Sequence, residues 1–238
     1  MFEWMTDPAI WTALMMIIGI NIVLSGDNAV VIALACRSLP PAQQKRAIML
    51  GTVGAIVLRV VLTAFAAMLL TKPWLKLIGS VLLIWIAIKL LVPEEKGGGA
   101  DDGNAGMFAA IKTIIIADLV MSLDNVIGVA AAANGNVPLL IVGLLISMPL
   151  IIYGSTVIMK LMGRYPVLIT LGAALLGYVA GEMGVSDPVV TGFIAGNAET
   201  WHLVVPILAA TLVVVAGKLM APKPAEEVVE VPLDTPGR

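Results

Sequence analysis

The chain is 238 residues long, 60% apolar and 13% charged, with a mean hydropathy of +1.02. That composition excludes an ordinary soluble domain, which is about half apolar and a quarter charged. A formal net charge of -2 gives no basic excess of the kind that holds nucleic acid, and a single cysteine (Cys36) and a single histidine (His202) exclude an intramolecular disulfide and any thiolate-cluster or poly-histidine metal centre.

Long apolar runs broken by charged or Pro/Gly punctuation predict an all-α membrane protein with seven transmembrane helices. The first span covers 10–36. Its flank, Met1 to Asp7, holds Glu3 and Asp7 but no Lys or Arg, unlike a secretory signal, so the helix is expected to be retained. Within it stand Asn21, Ser25 and the dipeptide Asp27-Asn28. Spans two and three cover 47–70 and 74–92, and span two carries Arg59, the one basic residue clearly inside a span. Residues 93–107, with Pro93-Glu94-Glu95-Lys96 and a Gly-rich run, are expected to form a flexible cytoplasmic linker. Span four, 108–133, contains Asp118, Ser122 and a second dipeptide, Asp124-Asn125. Spans five and six cover 137–160 and 166–183, with Glu182 at the outer end of the latter. Glu199 and His202 are expected as solvated residues of a loop before span seven, 203–219, and residues 220–238 as a disordered cytoplasmic tail.

Lys and Arg in the short loops set the orientation. With the N-terminus outside, the cytoplasmic side collects Arg37, Lys45, Arg46, Lys96, Lys160, Arg164, Lys218, Lys223 and Arg238, while the outer side keeps only Lys72 and Lys76. The C-terminus is then cytoplasmic.

The two halves align with each other. Asn21-Ile22-Val23-Leu24-Ser25-Gly26-Asp27-Asn28 matches Asp118-Leu119-Val120-Met121-Ser122-Leu123-Asp124-Asn125 at an offset of 97. Pro73, Gly79 and Trp85 fall opposite Pro166, Gly172 and Tyr178 at an offset of 93. The repeat unit is therefore three helices, residues 1–92 and again 108–183, with the loop and seventh helix of 184–219 outside it. An odd number of spans inverts the second copy, the plan of many secondary transporters whose site lies where the repeats meet.

An ionised carboxylate at bilayer depth costs several kcal/mol, so intramembrane Asp residues mark functional paths. Asp27, Asn28, Asp118, Asp124 and Asn125 are the candidate metal ligands, with Asn21, Ser25, Ser122, Arg59 and Glu182 in support. A purely structural ion pair to Arg59 or Lys89 is the plainer reading, but duplication of the Asp-Asn pair argues against it. Carboxylate, amide and hydroxyl oxygens are hard donors that suit Mg²⁺, Ca²⁺ or Mn²⁺. Met121 and Met148 could add a soft thioether that would tilt the site towards Mn²⁺, but core filling is the favoured account of both. Positions 21, 25 and 28 share a helix face, as do 118, 122 and 125. Asp27 and Asp124 sit a step off that face, so a helix broken at each pair is expected to let them converge. Gly26 eases a break in the first copy; Leu123 does not in the second. With no phosphate loop, nucleophile elbow or paired-His motif, the chain reads as a carrier or channel without a prosthetic group, not as an enzyme.

Ser25-Gly26-Asp27-Asn28-Ala29-Val30-Val31-Ile32-Ala33-Leu34-Ala35, Arg37-Ser38-Leu39-Pro40, Arg46-Ala47-Ile48 and Arg59 resemble the TerC family of integral membrane proteins, in its YjbE-like branch. Ala117 to Asn125 and Gly177-Tyr178-Val179-Ala180-Gly181-Glu182-Met183 are similar to it as well, and the likeness runs from about residue 8 to residue 219. The resemblance implies Mn²⁺ efflux across the bacterial inner membrane and kinship with lysine-exporter-like carriers. The partners expected are the lipid bilayer and a divalent ion, Mn²⁺ before Ca²⁺, and the sequence is compatible with a homo-oligomer. Two other readings stay open: export of a small organic cation or amino acid, and a non-transporting membrane factor that helps load metal onto secreted proteins.

Overall fold

The computed structural model describes residues 8–24, 26–65, 72–92, 103–133, 137–194 and 196–221, and among these there are nine helices and no strand. They are α1 (Pro8–Leu24), α2 (Gly26–Cys36), α3 (Pro41–Ala64), α4 (Leu75–Leu91), α5 (Gly103–Ala133), α6 (Val137–Arg164), α7 (Val167–Val185), α8 (Pro188–Ile194) and α9 (Ala198–Met220). Most of the linker and of the tail expected from the sequence lies outside the described residues.

Five of these helices, α3, α5, α6, α7 and α9, are long and apolar enough to cross a bilayer, and a sixth crossing results if α1 and α2 form one bent span. Seven spans were the expectation, and α4 accounts for the difference. It has 17 residues, about 26 Å of helix at 1.5 Å per residue, against a hydrocarbon core of about 30 Å. The first span is also not one straight helix: α1 and α2 meet at an angle of 47° across position 25. Gly26 begins the second piece, and a Cβ added there would meet nothing within 4 Å. In the second copy no break occurs, because α5 runs unbroken through Leu123-Asp124-Asn125. Leu is a strong helix former where Gly is a weak one, so the same polar motif bends one helix and not the other.

The segment before α9 also departs from the expected loop. Pro188–Ile194 is helical, and α9 starts at Ala198, so Glu199 and His202 sit on its first turns. Glu199 there complements the positive end of the helix.

Packing places the helices in intimate pairs. Helix α3 lies along α5, running the same way: a Cβ on Gly51 would come 2.8 Å from Ile114 Cδ1. Helix α1 lies along α6 in the same sense, and a Cβ on Gly143 would come 2.5 Å from Ile17 Cγ2. Helix α4 packs on α7, and α7 on α9. Gly177 and Gly181 bring the last pair to backbone contact, since a Cβ at Gly181 would lie 2.5 Å from Pro206 Cα. That small-xxx-small spacing is how helices approach closely in lipid, where packing rather than water exclusion drives association. Leu83, Ala87, Ala173, Leu176, Ala180 and Val213 fill the shared interior. Large apolar side chains such as Trp85, Tyr153, Leu171 and Leu208 stand exposed on the outside. A water-facing surface would not tolerate that coat, but a lipid-facing one requires it.

Candidate functional site

Asn21 on the last turns of α1, Asn28 on the first turn of α2, Arg59 in the C-terminal third of α3 and Asp118 and Ser122 on α5 meet inside the bundle, all of them buried. Arg59 organises them. Its Nη2 donates to Asp118 Oδ1 at 2.5 Å, its Nη1 to Asn21 Oδ1 at 2.6 Å and its Nε to Ser122 Oγ at 3.0 Å. Ser122 Oγ donates in turn to Asp118 Oδ2 at 3.1 Å, and Asn28 Nδ2 to Asp118 Oδ1 at 3.0 Å. Asn21 Nδ2 donates to Ser147 Oγ, which passes the chain on to Leu144 O at 2.9 Å. A buried carboxylate and a buried guanidinium are tolerable together because each satisfies the other and the remaining lone pairs find donors.

The network opens on a cavity of about 20 Å³, bordered by Asn21, Asn28, Thr52, Arg59 and Asp118, with Val31, Ile32 and Leu144 among its apolar walls. That is space for roughly one water-sized occupant. Two oxygens on its border, Asn28 Oδ1 and Thr52 Oγ1, are buried without a hydrogen-bond partner. Both residues are only 4% exposed. An unsatisfied buried acceptor is unfavourable by about 1–3 kcal/mol, so two on one small cavity call for a donor or a cation between them.

The other expected site residues are distributed less compactly. Asp27 is half-buried, and its Oδ1 accepts from the Asn28 amide at 2.8 Å, so it caps the start of α2 and does not border the cavity. Ser25 and the side chains of Asp124 and Asn125 lie outside the described residues. Among the described residues no group of three or more His, Cys, Asp or Glu side chains could hold a metal ion. Met121 packs in the hydrophobic interior, and neither it nor Met148 borders the cavity.

Glu182 lies away from the cavity, near the end of α7. Its Oε1 is 2.7 Å from His202 Nδ1 on α9, a contact between two partly exposed side chains that places His202 on a helix and not in the expected loop. Close to it, Asp187 is fully buried and clamps the start of α4. Its Oδ1 accepts from Trp74 N at 3.2 Å and Val189 N at 2.9 Å, and its Oδ2 from Leu77 N at 3.1 Å. Trp74 has φ of 71°, a left-handed conformation that a bulky residue holds only when its surroundings impose it. Burial pushes the Asp187 carboxyl up, but the amides of Val189, Leu77, Trp74 and Lys76 together outweigh it and hold the group below its usual range.

Thr52, Ser147 and Asp187 were not singled out in the sequence. A Thr or Ser in an apolar helix usually bonds its own backbone, so type alone gives no signal. Asp187 stood in a segment that read as loop.

The family described as integral membrane protein TerC matches residues 6–226. The chain is 43% identical over 206 residues to the uncharacterized membrane protein YjbE of Bacillus subtilis (strain 168), an alignment that covers 86% of this chain and 93% of that protein. It is 28% identical over 197 residues to the uncharacterized membrane protein YceF of the same bacterium, covering 76% of each. It is 30% identical over 185 residues to the UPF0053 inner membrane protein YgdQ of Escherichia coli (strain K12), covering 70% of this chain and 77% of that one. No solved structure matches.

Proposed function

The chain belongs to the TerC family of integral membrane proteins, and from that premise we propose that it is a secondary transporter exporting a divalent cation, Mn²⁺, through the polar cavity among α1, α2, α3 and α5. The observation that carries the reading is the pair of buried, unpartnered oxygens, Asn28 Oδ1 and Thr52 Oγ1, bordering one small cavity with the Asp118 carboxylate. Amide, hydroxyl and carboxylate oxygens are hard donors, suited to Mn²⁺, Mg²⁺ or Ca²⁺. Manganese as the cargo is what the family resemblance adds. Asp27 stands outside the cavity, so in this reading it, Asp124 and Asn125 join the shell only as the ion moves, with proton return through the same carboxylates. Arg59 holds the negative charge in balance until the ion arrives, and ion entry displaces it from Asp118.

The helix pairs support two inverted three-helix repeats. Exchanging the halves turns the α3–α5 contact into the α6–α1 contact, and both pairs run in the same sense. The exchange holds at the level of residues: Ile17 and Ile114, which stand 97 residues apart as the two motifs do, each press against a glycine, Gly143 and Gly51. In this reading α4 is the short third span of the first repeat, α9 is the seventh helix, and the N-terminus is outside.

A cavity of about 20 Å³ favours a bare ion over an organic cation or an amino acid. Mn²⁺ flux into proteoliposomes, with Ca²⁺ and Mg²⁺ as competitors, tests the reading. Wild type is expected to move Mn²⁺, and Asp27→Ala, Asp118→Asn and Asp124→Ala to stop it while remaining in the membrane. A wild-type protein that moves no ion defeats the proposal in favour of the non-transporting factor.

A further inference from the structure

Where α2, α4 and α6 end and α7 begins, a second cavity of about 570 Å³ opens at one end of the bundle. Arg37, Lys89 and Lys160, from three different helix ends, all border it, and no acidic side chain does so among the described residues. Met159, Met162 and Ile169 give it an apolar wall. We propose that this cavity binds an anionic phospholipid, its phosphate held among the three cations and its acyl chains against the methionine-lined wall.

Basic residues at helix ends ordinarily complement the helix dipole or snorkel outwards. Those effects explain each cation singly, but not the convergence of three on one recess. The level in the membrane also fits. Lys89 stands over the Trp85 ring at 5.7 Å, and Trp85 is exposed on the bundle's outer surface. An amphipathic ring paired with a cation is the arrangement that marks the headgroup layer. Basic pockets between membrane helices at that level recognise anionic headgroups. Arg37 directly follows α2, whose first turn carries Asn28, so a bound lipid ties down the far end of the helix that borders the ion cavity.

The test uses the purified full-length protein in phosphatidylcholine-containing micelles, titrated with phosphatidylglycerol and, in a second arm, with inorganic phosphate. Phosphatidylglycerol is expected to bind more tightly than phosphatidylcholine. Arg37→Gln and Lys160→Gln are each expected to weaken it about fivefold, the equivalent of about 1 kcal/mol per basic residue, and Lys160→Arg to retain it. Unchanged melting in phosphatidylcholine shows that the variants fold; Lys160 is exposed, so its single replacement serves if the Arg37 variant does not. Undiminished phosphatidylglycerol affinity in Lys160→Gln, or equal binding of phosphatidylcholine, overturns the site. Displacement of the lipid by inorganic phosphate overturns the lipid assignment in favour of a soluble phosphate-bearing ligand.

Discussion

Arg59 and Asp118 join α3 to α5 by an ion pair of 2.5 Å that is buried on both sides. Removing one partner leaves the other charged in a medium that cannot solvate it. Arg59→Leu is therefore expected to destabilise the protein by about 3–5 kcal/mol, and the Arg59→Leu/Asp118→Asn double variant by less than the sum of the two single changes. Thermal unfolding of the four proteins in detergent measures the coupling, and simple additivity would sink it.

Thr52 offers a cleaner separation of stability from transport. Its hydroxyl has no hydrogen-bond partner, so Thr52→Val removes nothing that the folded state uses. Stability is expected to stay level or rise by about 1 kcal/mol, while Mn²⁺ affinity falls. Melting curves and Mn²⁺ flux on the same preparation check both halves, and unaltered affinity would remove Thr52 from the ion's path.

Gly181 is held by backbone, not by a side chain that could swing away. A Cβ there meets Pro206 Cα at 2.5 Å, so Gly181→Ala is expected to push α9 off α7 and destabilise by about 1–3 kcal/mol. Gly163→Ala, where a Cβ meets nothing within 4 Å, should be neutral or slightly stabilising. An unchanged or raised melting temperature in Gly181→Ala, matching that of Gly163→Ala, would mean that helix propensity, not contact, governs position 181.

Asp187 predicts a pH dependence. Its folded-state pKa lies below the ordinary carboxylate value, so its contribution to stability is fully present above about pH 4 and is lost as pH falls through the lower folded value. Asp187→Asn is expected to melt earlier than wild type at pH 7, with the gap narrowing below about pH 4. A gap that stayed constant across the acid range would mean the clamp does not depend on charge.

Much of this organisation was legible in the sequence, for reasons that differ from residue to residue. Asn21 and Asp118 stood out because a polar side chain in an apolar run must be satisfied, and because the same neighbours recur around both. Arg59 was legible as the lone cation at that depth. The bend at Gly26 was anticipated from backbone freedom, and its absence at Leu123 follows from the same rule. Thr52 was hidden because its role depends on α3 lying against α5, which sequence spacing does not encode. The Glu182–His202 bridge was hidden because it needs α7 and α9 folded back on each other, and the turn between them concealed a helix too short to show a period. Helix α4 read as a span because hydropathy registers grease, and its 17 residues place it at the short end of what crosses a bilayer.

The Arg59–Asp118 pair has a bearing on energetics at the scale of the whole membrane. One elementary charge moved across a potential of 100 mV exchanges about 2.3 kcal/mol with the field. A guanidinium and a carboxylate locked together cross that field as a dipole of zero net charge. In the proposed transport cycle this pair would therefore add nothing to the voltage sensitivity of the unloaded return step, and an ion that parted the two would expose their charges to the field.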